Sequence, residues 1–359
     1  MKGLAGARLL VTGGAGFIGQ NFVYHLAAEA PGARMLVLDA LTYAANPAGL
    51  QPLLTSGQVS LVKGDITDMD MLTALFTQHQ FDHVAHFAAE SHVDRSITGP
   101  DAFVQTNIVG THNLLKTALA DWSGRGLLDQ ARFLHVSTDE VFGDLEPDEA
   151  PFCEETPYAP SSPYSASKAA SDHLVRAYHR TYGLPVLVTN CSNNYGPYQH
   201  PEKLIPLMVT HALTGKPLPV YGDGQNIRDW LYVGDHCRAL GAVLERGAIG
   251  ATYNIGGNSE RTNMQVVQAI CAIIDSGFRE DAGLAAQFPH SPAAKGQSCA
   301  GLITPVADRP GHDRRYAIDS SLLRRALGVS PSETFDSGLA RTVRWYMDNR
   351  SWWQGVGQA

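Results

Sequence analysis

The chain has 359 residues, 44% of them hydrophobic and 17% charged, with a formal net charge of -8 at neutral pH. That length can bury the core of one large α/β unit or of two units sharing a core. The acidic balance, with no run of Lys and Arg, excludes a surface built for nucleic acid or an anionic membrane, so an anionic ligand must be held by a few placed groups.

The chain opens on "MKGLAGARLLVTGGAGFIG", an apolar stretch behind a basic residue. Glycines interrupt it and no later run reaches bilayer length, so neither a signal peptide nor a membrane span is expected, and a cytoplasmic protein is. The five cysteines, Cys153, Cys191, Cys237, Cys271 and Cys299, have no metal-ligand spacing. They read as reduced thiols, with no metal site.

Apolar, β-branched runs start at Arg8, Arg34, Val59, Phe81, Arg132 and Pro185. Runs apolar at nearly every position suit parallel strands covered on both faces, which gives an α/β, Rossmann-type doubly wound parallel sheet. Helical periodicity fills residues 19–30, 106–119 and 165–182 between them. After Asn190 the texture turns rich in Gly, Pro and Asn, then a helix is expected over 234–245 and a strand from Ala251. The expected division is a dinucleotide-binding unit over 1–190, with segments near 231–256 and 315–330 returning to it. A smaller interwoven substrate unit then takes most of 191–359. Residues 280–302, rich in Ala, Gly, Pro and Ser, read as a surface loop.

The first strand ends in "VTGGAGFIG", with Gly13, Gly16 and Gly19 in a GxxGxxG pattern and Phe17 and Ile18 opening the helix. Such a turn lets backbone N–H groups approach a pyrophosphate at a helix N-terminus. A carboxylate about 20 residues further on binds ribose hydroxyls and repels a 2′-phosphate; Asp39 stands there, so NAD is favoured over NADP. Asp65 and Ile66 end the third strand where adenine would lie, and Ala88 and Ala89 follow the fourth where the chain must pass close to the cofactor. Each has an ordinary reading as a cap or packing residue. Their occurrence at successive strand ends points to a dinucleotide.

The fifth run ends in "STDEVFGD", placing Thr138 beside two neighbouring carboxylates, Asp139 and Glu140. Adjacent carboxylates repel and burial disfavours their charge, so the plain reading is a polar strand end in water. Successive strand residues point to opposite faces, so both can reach one ligand only if the backbone leaves strand geometry at Asp139; a turn or helix start is expected. "PYSASK" sets Tyr164 and Lys168 one helical turn apart. An ammonium beside a phenol lowers the phenol's pKa, which would make tyrosinate accessible as a base.

These segments, with "AAESHVDRSI", "NNYGP", "EKLIP", "IRDWLYVGDH", "YNIGG" and "DRPGHDRRYAID", resemble the extended short-chain dehydrogenase/reductase family over nearly the whole chain. The DE pair and the last segment resemble its nucleotide-sugar 4,6-dehydratase branch. The resemblance implies NAD as cofactor, dTDP-glucose as substrate, and a homodimer through helices 106–119 and 165–182. It also implies a mechanism. Tyr164, helped by Thr138, takes the proton of the sugar 4-hydroxyl. Glu140 removes the C5 proton as base, and a protonated Asp139 donates to the departing 6-hydroxyl. Substrate contacts are implied at Ser91, Asn193, Lys203, Leu204, Arg228, Asn263, Arg309 and His312, with Arg228 foremost because Trp230 and Tyr232 suggest a partly buried guanidinium. His86 and His92 read as core or supporting histidines before a proton relay, and Trp352 and Trp353 as packing residues. A 4-epimerase or UDP-glucuronate decarboxylase would share the scaffold, but epimerisation needs no acid and base at C5 and C6. A catalytically silent NAD-fold protein could dispense with Tyr164, Lys168 and the carboxylate pair. The choice of dTDP over GDP or CDP rests on the resemblance.

Overall fold

A computed structural model describes residues 1–308 and 312–356. The six apolar runs become strands β1 (Arg8–Thr12), β2 (Arg34–Asp39), β3 (Val59–Lys63), β4 (His83–His86), β5 (Arg132–Thr138) and β6 (Val186–Cys191). The chain then forms β7 (Asn193–Tyr195), β8 (Leu218–Tyr221), β9 (Ile227–Tyr232), β10 (Thr252–Ile255), β11 (Glu260–Thr262) and β12 (Ile303–Val306). Seven strands make one parallel sheet in the order β10-β6-β5-β4-β1-β2-β3. The order reverses between β1 and β4, and the carboxyl ends of strands flanking such a switch point open a crevice.

Both faces of this sheet are covered, as the unbroken apolar runs require. On one face helix Phe17–Glu29 contributes Phe22 and Leu26, and helix Val233–Arg246 contributes Leu240 and Val243. On the other lie Leu72 and Phe76 of helix Met69–His79, Leu114 and Trp122 of Thr111–Arg125, and Val175 of Pro163–Tyr182. A second core forms from helices Leu204–Thr214, Asn263–Glu280 and Phe335–Asp348, around Met208, Ile270 and Val343. Beside it stand a three-stranded sheet, β11-β9-β7, and a two-stranded one, β12-β8.

Helix Pro163–Tyr182 has well-defined ends. Ser162 and Ser165 form a reciprocal capping box, Pro163 occupies the first turn, and Gly183 closes the helix at φ 71°. Two segments differ from expectation. Residues 280–302 form helical turns, Gly283–Gln287, Pro292–Lys295 and Cys299–Leu302, that bury Leu284, Phe288 and Cys299 in the second core. Leu284 and Phe288 lie four residues apart, a helical spacing obscured by their small neighbours. The helix expected over 106–119 instead contains a π-helical stretch, Val104–Gly110, before Thr111–Arg125. No helix among the described residues is long and apolar enough to cross a membrane.

Candidate active site

One cleft of about 1760 Å³, open mouth included, runs along the carboxyl ends of the sheet strands from Asp39 to Asn193. At its β1 end, Gly13 adopts φ 69° and donates its N–H to Leu38 O at 2.8 Å. A Cβ on Gly13 would stand 2.6 Å from Ala88 N, and one on Gly19 would stand 2.3 Å from Gly13 O. Both glycines are therefore fixed by packing. Gly16 caps helix Phe17–Glu29 with no side-chain bond, leaving the first-turn N–H groups of Phe17 and Ile18 without a capping side chain at the cleft wall. Such a terminus is a ready anion site. Asp39, 8% exposed, accepts from Ala15 N at 2.9 Å and Leu41 N at 2.8 Å, though burial pushes its carboxyl above the usual range. Asp65, Ile66, Ala88 and Ala89 complete this wall.

At the other end, β5 delivers Thr138 in extended geometry, and the chain turns at once into a 3-10 segment, Asp139–Phe142. The break from strand geometry thus occurs where two same-facing carboxylates require it, and Asp139, Glu140, Thr138 and Tyr164 all line the cleft. Glu140 N donates to Thr138 Oγ1 at 3.3 Å, and Asn190 Nδ2 donates to Thr138 O at 3.1 Å. Asp139 is 1% exposed. Thr138 Oγ1 donates to its Oδ1 at 3.4 Å, while its Oδ2 is buried with no hydrogen-bond partner among the described residues. Burial raises the Asp139 carboxyl well above the ordinary range, and the charges of Glu140 and Asp229 add to the effect. Arg228 and the Thr138 hydrogen bond oppose it without reversing it. These influences favour the un-ionised carboxylic acid at Asp139. Ser137 Oγ and Asn193 Oδ1, also on this wall, are likewise buried without a hydrogen-bond partner among the described residues.

Tyr164 and Lys168 lie on one face of helix Pro163–Tyr182, both buried at the cleft. The expected lowering of the phenol does not hold in this arrangement. Burial pushes Tyr164 well above its ordinary value, and the charge of Glu140 pushes the same way, while its hydrogen bond with Thr138 pulls down. The Lys168 ammonium donates to Val136 O at 2.9 Å, so helical spacing alone does not aim it at the phenol.

The GDP-mannose 4,6 dehydratase family model matches residues 10–342. A dTDP-glucose 4,6-dehydratase of Xanthomonas campestris pv. campestris strain B100 is 57% identical over 98% of this chain and 96% of its own length. The chain belongs to the nucleotide-sugar 4,6-dehydratases, a branch of the extended short-chain dehydrogenase/reductase family. A solved dTDP-glucose 4,6-dehydratase of Streptomyces venezuelae, with NAD bound, superposes with a TM-score of 0.86 at 46% identity, covering 97% of this chain and 99% of that one. The UDP-glucose 4-epimerase of Thermotoga maritima shares the architecture at a TM-score of 0.81 and 26% identity, with 96% and 99% covered.

In this 4,6-dehydratase the other expected residues divide into two groups. Ser91, Asn193 and Lys203 line the cleft; Leu204, Arg228, Asn263 and His312 are outside its lining, and Arg309 lies outside the described residues. Arg228 is 6% exposed. Its guanidinium donates to Ile227 O at 2.7 Å and Asp313 O at 2.9 Å and sits 4.4 Å over the Tyr316 ring. His312 pairs with Asp308 at 2.7 Å. His86 is buried between Thr12 Oγ1 and Thr111 Oγ1, and Trp353 packs in the second core. Sequence reasoning missed Asn107 of the π-helical stretch, which clamps Glu90 through both backbone groups and donates to Ser167 of helix Pro163–Tyr182. It also missed Asp172. The signal for Asp172 was present, since it continues the Tyr164, Lys168 face by one more turn.

Proposed function

We propose that this chain is an NAD-dependent dTDP-glucose 4,6-dehydratase, a hydro-lyase that gives dTDP-4-keto-6-deoxyglucose. The observation carrying this reading is the buried Asp139, its carboxyl pushed up by burial and by the Glu140 charge, in one cleft with Glu140 and Tyr164. Ser137 Oγ, Asp139 Oδ2 and Asn193 Oδ1 leave unmet hydrogen-bonding capacity around them for a polyhydroxylated ring. Buried polar atoms of this kind call for a partner.

The residues at the β1 end fit NAD: the Gly13 and Gly19 packing leaves room for backbone approach, Phe17 and Ile18 offer N–H groups to a pyrophosphate, and Asp39 offers oxygens to a ribose. When bound, NAD serves as a reversible hydride store, drawing hydride from sugar C4 and returning it to C6, with the intervening 4-keto group acidifying the hydrogen at C5. Tyr164 takes the 4-hydroxyl proton only in its phenolate form, which the hydrogen bond with Thr138 favours. Glu140 takes the C5 proton, Asp139 gives its own to the leaving 6-hydroxyl so that water departs, and the proton on Glu140 goes back to C5 when C6 is reduced. Two carboxyl groups with divergent proton affinities separate acid and base roles at one pH. Ser91, Asn193 and Lys203 contact the nucleotide sugar. Arg228, from beneath the cleft wall, tempers the Asp139 carboxyl and anchors the 313–314 backbone toward the diphosphate, with Leu204, Asn263 and His312 at the nucleotide side. Residues 1–190, with 231–256 and 315–330, hold the cofactor, and most of 191–359 holds the substrate. The enzyme works in the cytoplasm as a homodimer through the helices around 106–119 and 165–182, where Val104, Val109 and Tyr182 are exposed.

The test is turnover of dTDP-glucose by purified protein without added NAD, followed through the alkali-induced absorbance of the 4-keto-6-deoxy product, beside UDP-glucose, GDP-mannose and CDP-glucose. Product from dTDP-glucose alone is expected. Product from another nucleotide would keep the mechanism and overturn the substrate, and a simple 4-epimer would overturn the roles of Asp139 and Glu140.

A further inference from the structure

Beneath the catalytic pair lies a charged column that the mechanism does not use. Lys168, Asp172 and Arg176 follow one another at four-residue spacing on helix Pro163–Tyr182, so their side chains stack on one face. Asp172 is 0% exposed. Its Oδ1 lies 3.0 Å from His135 Nε2, and its Oδ2 accepts from Tyr158 Oη at 2.8 Å and from Asn190 Nδ2 at 3.3 Å. Arg176 donates in turn to Tyr158 Oη at 2.7 Å. With its carboxylate partner, His135 carries its proton on Nε2. The same Asn190 amide also donates to Thr138 O at 3.1 Å.

We propose that Asp172 is a positioning residue for the dehydration: its buried carboxylate keeps Lys168 in the ammonium form and, through Asn190, holds the carbonyl of Thr138 at the strand tip. This rests on the reading of Tyr164 and Lys168 as the catalytic pair. A buried ammonium without a counter-charge gives up its proton, because transfer from water disfavours the cation. The titratable groups that interact with Lys168 are Asp172 on its own helix, Cys191 on β6, His135 on β5 and His86 on β4. Burial lowers Lys168, and the Asp172 charge is the chief influence raising it again. Burial opposes ionisation of Asp172 as well, but the His135 hydrogen bond and the charges of Lys168 and Arg176 hold it below the ordinary carboxyl range. Burial brings His135 down to about 4 and pushes His86 well below its ordinary value, so neither supplies charge near neutrality.

The test compares pH profiles of kcat and KM for wild type, Asp172→Asn and Asp172→Glu with dTDP-glucose. In Asp172→Asn the alkaline limb of kcat moves to lower pH by about one unit or more, a deficit growing about tenfold per unit along that limb. KM stays within about twofold and Asp172→Glu restores the limb. A loss equal at every pH, or no loss, overturns the proposal. If Asp172→Asn does not fold, the Nζ resonance of Lys168 in wild type decides, read by selective ¹⁵N labelling: an ammonium that persists above neutrality is expected, and a neutral amine at pH 7 overturns it. Absence of product from wild type would overturn the functional reading instead, with the Lys168 resonance still reporting on the charge.

Discussion

Asp139 and Asp172 are both buried, at 1% and 0% exposure, and lie on either side of Thr138 in the hydrogen-bond pattern, yet their proton affinities diverge. Asp172 faces a histidine, a phenol and an amide that donate to it, with a cation one turn away on each side. Asp139 has one oxygen without a hydrogen-bond partner among the described residues, two carboxylates for neighbours and one guanidinium within range. Burial is common to both. Donors and neighbouring charges set the direction, so the strand tip is a place for an acid and the layer beneath it a place for a permanent anion.

The largest test of this contrast is Asp139→Asn, which removes the proton to be donated and should lower kcat about 10²- to 10⁴-fold, with NAD still retained. Cofactor content by absorbance after gel filtration checks the second half. Next comes stability. Asp172 has a depressed pKa in the folded state, so it stabilises the fold above the ordinary carboxyl range, and that contribution is lost as pH falls through its folded value. Asp172→Asn should cost about 3–5 kcal/mol in urea unfolding at pH 7, as breaking a buried pair does, with the deficit shrinking in acid. Tyr158→Phe keeps the charge and removes one donor; about 1.5–3 kcal/mol is expected, for a hydrogen bond to an ionised group. The smallest effect has the opposite sign. Asp139 has a raised pKa, so the folded state binds a proton that the unfolded chain has lost, and stability falls as pH rises above the ordinary carboxyl range. Asp139→Asn should therefore melt slightly above wild type at pH 8, with the gain fading near pH 4.

Much of this was legible in the sequence because strands and turns are local. The unbroken apolar runs stated a parallel sheet covered on both sides, and Gly13, Gly16 and Gly19 stated a tight strand-to-helix turn. The adjacency of Asp139 and Glu140 required the backbone to leave strand geometry, as it does. Spacing alone could not show where a flexible side chain points: Lys168 shares a face with Tyr164 yet donates to Val136 O. Nor could it show that Arg228 turns to the carbonyls of Ile227 and Asp313, because residues 85 apart in sequence meet there. The 280–302 segment misled for a compositional reason: its small residues suggest a loop, while two apolar side chains four apart suffice to seat it on the second core.

The central claim is that Asp139 is protonated in the resting enzyme, and infrared difference spectroscopy at pH 7 between wild type and Asp139→Asn reads that proton directly. The carbonyl stretch of an un-ionised carboxylic acid, present in wild type and absent in the variant, is the predicted result. Loss of a carboxylate band in its place would contradict the assignment of Asp139 as the acid.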